Sequence, residues 1–200
     1  MKLYSNPASP FARKVIVGFW EVNAINEVEV INVIGNPVDS GDIPITENPL
    51  GKLPTLVGTP FGTLYDSRVI TQFIDRHCDG DLYPSSNLFE TMKMEALADG
   101  IMDAAVLMTY EKRVRSEDKQ SKVWVDGQWV KINRSLDALE SNAKEFLNSS
   151  FNIAHIALGC ALGYLDFRHS DRAWRSGHPK LNEWCEEISQ RPSMVATKPE

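Results

Sequence analysis

The sequence predicts an α/β domain over residues 1–80 and an all-α domain over residues 88–200, joined by a linker at 81–87. Three observations support this division. The first eighty residues alternate short strand-like and helix-like segments in the order β-α-β, long loop, β-β-α. The segment at 81–87 contains Asp81, Pro84, Ser85 and Ser86, residue types that are typical of turns and loops. Beyond it no segment has a strand pattern, and apolar residues recur at helical spacing.

The chain opens with a predicted βαβ unit. Residues 2–4 are apolar enough for a short strand, and Ser9-Pro10 reads as a helix N-cap followed by a proline at the first helical position. The helix runs to about residue 22. Its apolar face is formed by Phe11, Val15, Phe19 and Val22. Residues 27–30 alternate like a half-exposed strand, which closes the unit.

A hairpin and a helix follow. Residues 53–57 and 63–65 are strand-like, and the segment 58–62 between them has the composition of a turn. Asp66-Ser67 then precedes an amphipathic helix. A parallel βαβ start followed by an antiparallel hairpin predicts a mixed four-stranded sheet.

The second domain is predicted to be a helical bundle. Residues 88–114 form one long periodic segment, and residues 132–147 carry a buried seam at three- and four-residue spacing. Residues 153–165 are apolar on most faces, which predicts a central helix. A shorter helix is predicted over 179–188.

Composition and charge limit the classes of partner and site that this protein can have. A net charge of −6 and a pI near 5.3 disfavour nucleic acid or an anionic membrane as the partner. No apolar run is long enough to span a membrane. The three cysteines are far apart, so we expect buried reduced thiols and a cytoplasmic location. The histidines lack metal-ligand spacing, so no metal site is expected.

Two loops suggest a site for an extended ligand with a nucleophilic sulfur. At Ser9 the free N–H groups and the positive end of the helix dipole favour a thiolate, and they lower a thiol pKa from its usual value of about 8.5. The serine hydroxyl would donate a hydrogen bond to that sulfur, although a plain N-cap is the simpler interpretation. A cis bond at Leu53-Pro54 would turn the backbone towards a peptide-like ligand.

A third candidate lies at Asp66-Ser67, where the next helix begins. Asp66 can pair with an ammonium group, while the Ser67 N–H and hydroxyl can bind a carboxylate at the helix start. Helix capping again explains the same residues without a ligand.

The chain resembles the cytosolic glutathione transferases, in particular the bacterial serine-type members. The resemblance covers essentially the whole chain and depends on the order and spacing of several motifs. In the first half these are residues 9–15, 48–54 and 65–70, and in the second half 161–168, 178–181, Trp184 and 191–193. The resemblance implies a thioredoxin-like N-terminal domain, an all-helical C-terminal domain and a homodimer.

The resemblance also implies roles for individual residues, with glutathione as co-substrate. Ser9 matches the serine that activates the thiol. The remaining predicted glutathione contacts are Lys52, Leu53, Pro54, Asp66 and Ser67. The pocket for a small electrophilic substrate is expected at Met102, Val106, Tyr110 and Arg113. Asp99 or Asp103 is expected to reach the glutathione of the partner subunit.

Two positions depart from the family pattern. The central helix of the second domain usually begins with Ser/Thr-x-x-Asp, whereas this chain has Asn152 and His155. We therefore expect a cap weakened by about 1 kcal/mol, because His155 lacks the carboxylate that caps back. Tyr4 is an alternative donor to the thiol, but its place in a strand predicts a core-facing side chain.

Two functions are consistent with the sequence. The first is a glutathione transferase, in which the thiolate attacks an electrophilic carbon. The second is a non-catalytic glutathione- or ligand-binding protein with the same fold. A disulfide reductase is disfavoured, because serine stands where such an enzyme needs a cysteine.

Overall fold

A computed structural model describes residues 1–147 and 149–199. The strands are β1 (Lys2–Ser5), β2 (Glu29–Asn32), β3 (Thr55–Thr59) and β4 (Gly62–Leu64). The helices are α1 (Pro10–Glu21), α2 (Ser67–His77), α3 (Leu88–Val114), α4 (Lys122–Ser141), α5 (Ala143–Leu147), α6 (Ile153–Arg168), α7 (Pro179–Ile188) and α8 (Pro192–Ala196). No helix in these described ranges is long and apolar enough to cross a membrane.

The four strands form one mixed sheet in the order β2-β1-β3-β4. β1 pairs with β2 in parallel and with β3 antiparallel, and β3 pairs antiparallel with β4. The predicted mixed sheet is therefore confirmed. Its packed face meets α1 and α2 through a core that contains Leu3, Val15, Phe19, Leu56, Ile70 and Ile74.

The predicted position of β2 is wrong by two residues. Glu27 belongs to a short 3₁₀ turn, and its carbonyl accepts a hydrogen bond from the Met1 ammonium group at 3.0 Å. Pairing with β1 begins only at Glu29, opposite Lys2. Because β2 is an edge strand with mostly exposed side chains, no buried face fixes the register of its alternation.

The second domain packs around α6. Twelve of its sixteen residues are buried, which confirms the predicted central helix. The predicted seam over 132–147 is divided between two helices. α4 ends at Ser141, and Asn142 is its C-cap with a non-helical backbone of φ −105° and ψ 15°. The backbone N–H and the side-chain amide of Asn142 both donate to the Ala138 carbonyl, at 3.3 and 2.9 Å. α5 begins at Ala143.

α1 and α6 run antiparallel across the boundary between the two domains. At the start of α6 the Ile153 N–H donates to the Leu82 carbonyl at 3.0 Å, and Leu82 packs beside Gly18 near the end of α1. Further along α6, Gly163 lies against the Arg13 guanidinium. A Cβ atom on residue 163 would be only 2.5 Å from Arg13 Nη1. The last turn of α6 therefore lies towards the first turn of α1.

The expected weak cap of α6 is wrong. The Asn152 side chain accepts from the Ala154 N–H at 2.9 Å, and the Asn152 N–H donates to His155 Nδ1 at 3.2 Å. An imidazole nitrogen thus replaces the usual carboxylate. His155 Nε2 lies 3.0 Å from the Phe146 carbonyl, so the neutral tautomer with its proton on Nε2 satisfies both contacts. Burial lowers the pKa of His155, which favours this neutral form.

The cap makes stability depend on pH. Because the folded-state pKa of His155 is lowered, its contribution is complete above the unfolded value of about 6.5 and is lost as pH falls below it. Between pH 7.5 and 5.5 we expect this residue to reduce the free energy of unfolding by up to about 1.4 kcal/mol. Denaturant unfolding at several pH values measures the loss. The control is His155→Gln, which keeps an acceptor without titrating, and its curve should be flatter. Equal slopes for the two proteins would contradict the assignment.

Candidate functional site

The predicted site segments meet at one edge of the sheet. β1 leaves the sheet at Ser5 and leads to Ser9, while β3 enters opposite Tyr4 at Thr55, directly after Leu53-Pro54. β4 runs antiparallel to β3, with Leu64 opposite Leu56, so Asp66 emerges at the same edge. The three loops therefore belong to neighbouring strands, whose spacing is about 4.8 Å.

Ser9 is the N-cap of α1. Its extended backbone has φ −86° and ψ 117°, and its Oγ accepts from the Ala12 N–H at 3.2 Å. Since this bond uses Oγ as acceptor, the Ser9 hydroxyl proton remains available to a ligand. Tyr4, the alternative donor, is half-buried and points to the opposite face of the sheet from the core residue Leu3, so its predicted core-facing orientation is wrong.

Asn6 holds the loop before Ser9, and sequence reasoning missed it. Its side-chain amide donates to the Val33 carbonyl at 3.0 Å, and its Oδ1 accepts from the Ala8 N–H at 3.0 Å. The Ser9 N–H donates to the Asn6 carbonyl at 2.8 Å. An asparagine just before a proline in a strand-to-helix loop is the signal that predicts such anchoring.

The Leu53–Pro54 peptide bond is cis, as the sequence suggested. The buried Asn48 fixes the loop before it, because its side-chain amide donates to the Lys52 carbonyl and to Thr55 Oγ1, both at 3.0 Å. Lys52 is exposed, Leu53 is half-buried and Pro54 is buried. The Lys52 charge is thus exposed to solvent beside a backbone segment that the Asn48 side chain holds in place.

Asp66 caps α2, with Oδ1 accepting from the Arg68 N–H at 3.0 Å. The Tyr65–Asp66 peptide bond is also cis. Asp66 is exposed, whereas Ser67 is buried. The Asp66 carboxylate therefore lies at the surface beside the positive end of the α2 dipole.

A buried ionic cluster lies behind these loops. Lys14 on α1 has no exposed surface, and its ammonium group contacts Asp99 Oδ1 at 2.8 Å and Glu95 Oε1 at 3.0 Å, both on α3. Arg68 Nε on α2 donates to Asp99 Oδ2 at 2.6 Å. The Tyr83 hydroxyl donates to Glu95 at 3.0 Å. The cluster joins α1, α2, α3 and the linker.

The cluster distinguishes the two acidic residues of α3 that were predicted to reach the glutathione of a partner subunit. Asp99 is 1% exposed and is held by Lys14 and Arg68, so the expectation that it reaches a partner subunit is wrong. Asp103 is exposed. Desolvation and the charge of Asp99 raise the pKa of Asp103, and Lys52 and Asp66 also act on it electrostatically. Asp103 therefore belongs with Lys52 and Asp66 to a group of exposed charged residues, the charged rim of the site.

Sequence reasoning also missed Lys14, Glu95 and Arg68. Glu95 and Asp99 are four residues apart on α3, which places two carboxylates on one helix face. This spacing within a buried helix was the available signal that a cation must lie opposite. Burial is the first cause that raises the pKa of Glu95, while Lys14 opposes it.

The predicted electrophile pocket is only partly supported by burial. Met102 has no exposed surface and belongs to the core of the helical domain, so it does not line an open pocket. Val106 and Tyr110 are half-buried, and Arg113 is exposed. These three residues follow each other along α3 at three- and four-residue spacing, on one side of the helix.

Comparison with known proteins identifies the class. Residues 8–77 match the family model of the glutathione S-transferase N-terminal domain, and residues 122–187 match that of the C-terminal domain. The chain belongs to the glutathione transferase family, with a thioredoxin-like first domain and a helical second domain.

Individual relatives agree with this assignment. The uncharacterized GST-like protein YibF of Escherichia coli K12 is 35% identical over 204 residues, covering 100% of this chain and 98% of YibF. A glutathione transferase family member from Pseudomonas fluorescens Pf-5 with bound glutathione is 46% identical, with a TM-score of 0.96 over 100% of this chain and 98% of that one. A second structure from that organism, with bound S-(propanoic acid)-glutathione, is 46% identical, with a TM-score of 0.91 and full coverage of both chains.

We expect Lys14→Met to reduce the free energy of unfolding by about 3–5 kcal/mol, because it leaves the Glu95 carboxylate buried without its cation. Denaturant unfolding measures this. Lys93→Met is the matched control on α3, because Lys93 and its partner Glu90 are exposed, and it should cost less than about 1 kcal/mol. The double variant Lys14→Met/Glu95→Gln should recover part of the loss. Similar small losses for Lys14 and Lys93 would show that the buried cluster does not hold the domains together.

Proposed function

We propose that this protein binds glutathione along the edge formed by the three loops and conjugates its thiolate to a small electrophile. The observation that carries the proposal is the convergence of Ser9, Leu53 and Asp66 at one end of three neighbouring strands. Family membership and the glutathione bound by the Pseudomonas relative support it.

In this proposal each loop binds one part of the tripeptide. The backbone N–H and carbonyl of Leu53 pair with the cysteinyl unit as a strand would. Asp66 binds the ammonium group of the γ-glutamyl unit, and the start of α2 at Ser67 binds its carboxylate. Lys52, exposed beside Leu53, supplies a further positive charge for a carboxylate of the tripeptide.

The cysteinyl sulfur then lies at the N-terminus of α1. The Ser9 hydroxyl donates to it, and the α1 dipole stabilises its negative charge, so the thiol loses its proton to solvent near neutral pH. Serine itself keeps its proton throughout. The thiolate attacks an electrophilic carbon lying against α3, beside Val106 and Tyr110. Holding both reactants in place supplies much of the remaining acceleration.

The S-(propanoic acid)-glutathione bound by the Pseudomonas relative is a glutathione thioether, which is the kind of product that conjugation forms. Glutathione binding without turnover is the alternative, and it predicts tight retention of glutathione with no acceleration of any electrophile.

The wider setting is part of the same proposal. Cys78, Cys160 and Cys185 are free thiols, which suits a reducing cytoplasm. We also propose a homodimer, since large apolar side chains such as Phe61 and Phe89 are 77% and 84% exposed. Asp103 on the charged rim is then the acidic residue available to the partner's glutathione.

Replacing Ser9 tests the site directly. In Ser9→Ala the pKa of bound glutathione should rise by about one to two units towards the free value near 8.5, and kcat near pH 6.5 should fall roughly ten- to a hundredfold. The thiolate absorbance in the ultraviolet, followed against pH, measures the pKa. Ser9→Thr keeps a hydroxyl and should retain most of the effect.

An unchanged thiol pKa in Ser9→Ala would reduce Ser9 to a helix cap. Absence of glutathione binding in the unsubstituted protein would overturn the proposed function itself.

A further inference from the structure

Resting on the proposed function, we infer that Arg113 and Arg168 form an anion-binding subsite for the second substrate, and that this substrate is an electrophile carrying a carboxylate. Arg113 lies in the last turn of α3 and Arg168 is the last residue of α6. The subsite deepens the assignment of the electrophile pocket by naming the chemical group it selects.

Arg113 and Arg168 lie at the same end of the contact between α3 and α6, because His169 Nε2, on the residue after Arg168, is 3.2 Å from Thr109 Oγ1, and Arg113 is one turn after Thr109. Arg168 interacts electrostatically with Arg113 and with two hydroxyl groups, those of Tyr110 and Tyr164. Its guanidinium carbon lies 3.8 Å from the centre of the Phe167 ring, which orients its plane. The Tyr164 hydroxyl donates to Thr109 Oγ1 at 3.1 Å. Arg168 Nε is buried and has no hydrogen-bond partner among the residues that the structure describes.

Within residues 1–147 and 149–199, neither Arg113 nor Arg168 forms an ion pair with a carboxylate. Other arginines of the chain do form such pairs: Arg68, Arg115, Arg172, Arg175 and Arg191. Two unneutralised cations beside each other raise the electrostatic energy of the free protein. A bound anion removes that repulsion, and a carboxylate matches the planar donors of arginine.

Arg168 lies at the end of α6 that is beside Ser9 at the start of α1. Arg13 on α1 faces Gly163 on α6, and the helices are antiparallel. Ser9 is four residues before Arg13, and Arg168 is five residues after Gly163, so both lie about 6–7.5 Å from this contact in the same direction along the helices. Arg168 is therefore level with the start of α1, where the sulfur is proposed to bind.

Arg113 extends the proposed electrophile surface of α3. It follows Val106 and Tyr110 at helical spacing, so the three share one side of the helix. An electrophile lying along this side can place its reactive carbon towards the sulfur and its carboxylate against the two arginines. The charge thereby orients the molecule without taking part in bond formation.

A matched pair of electrophiles tests the inference: 4-chloro-3-nitrobenzoate, which is anionic, and 4-chloro-3-nitrobenzamide, which is neutral. In both, the thiolate forms a C–S bond at the chlorine-bearing carbon, and the C–Cl bond breaks with its electron pair leaving as chloride. After division by the uncatalysed rates, we expect kcat/KM to favour the benzoate, and the preference to weaken as salt is added.

The variants are Arg113→Gln and Arg168→Gln. Each should reduce the ratio of kcat/KM for benzoate to that for benzamide roughly ten- to a hundredfold, as loss of a charged hydrogen bond does. Arg134→Gln is the control, because it removes the same charge from an exposed position on α4. A ratio that is unchanged in both variants, or that falls equally in the control, overturns the inference.

A binding measurement keeps the test decisive if turnover is absent. Calorimetry compares the two conjugates of glutathione with these electrophiles, and the carboxylate-bearing conjugate should bind more tightly, with the advantage lost in Arg113→Gln. Equal affinities overturn the anion subsite while leaving glutathione binding intact. Failure of glutathione to bind overturns the proposed function and the inference together.

Discussion

The structure depends most on one buried ammonium group. Lys14 is enclosed between Glu95 and Asp99, and it joins the helix that begins at Ser9 to the first long helix of the second domain. Charges taken out of water are costly unless each is paired and hydrogen-bonded, so the helices are held in the arrangement that pairs them. Arg68 adds the start of α2 to the same cluster through Asp99.

This cluster explains how the loops of the site are held in place. Ser9 is five residues before Lys14, and Asp66 is two residues before Arg68, so two of the three loops are fixed by residues that bind the same carboxylate, Asp99. The third loop is fixed separately by Asn48, whose side chain bonds the Lys52 carbonyl. The sheet register then brings all three to one edge. The proposed glutathione site is thus a preformed surface, which reduces the entropy lost on binding.

Features that depend on residues close together in the sequence, such as helix starts and helix bounds, could be predicted. Ser9-Pro10 and Asp66 were recognised as helix starts, and the bounds of α3 and α7 follow from apolar periodicity and a helix-starting proline. The position of β2 was missed because an exposed edge strand has no buried face to fix it. Lys14 was missed because its partners are 81 and 85 residues further along the chain, and a lysine among apolar residues does not reveal its partners. His155 was misjudged because capping was assumed to need a carboxylate, whereas a neutral imidazole also accepts.

The central claim is that this edge binds glutathione as a thiolate. Calorimetric titration at pH 7 in two buffers of different ionisation enthalpy gives the number of protons released on binding. With a thiol pKa lowered by one to two units from about 8.5, the account predicts release of roughly 0.2 to 0.7 of a proton with glutathione, and none with S-methylglutathione, which has no thiol proton to lose. Equal proton release for the two ligands, or no binding of glutathione, would contradict it.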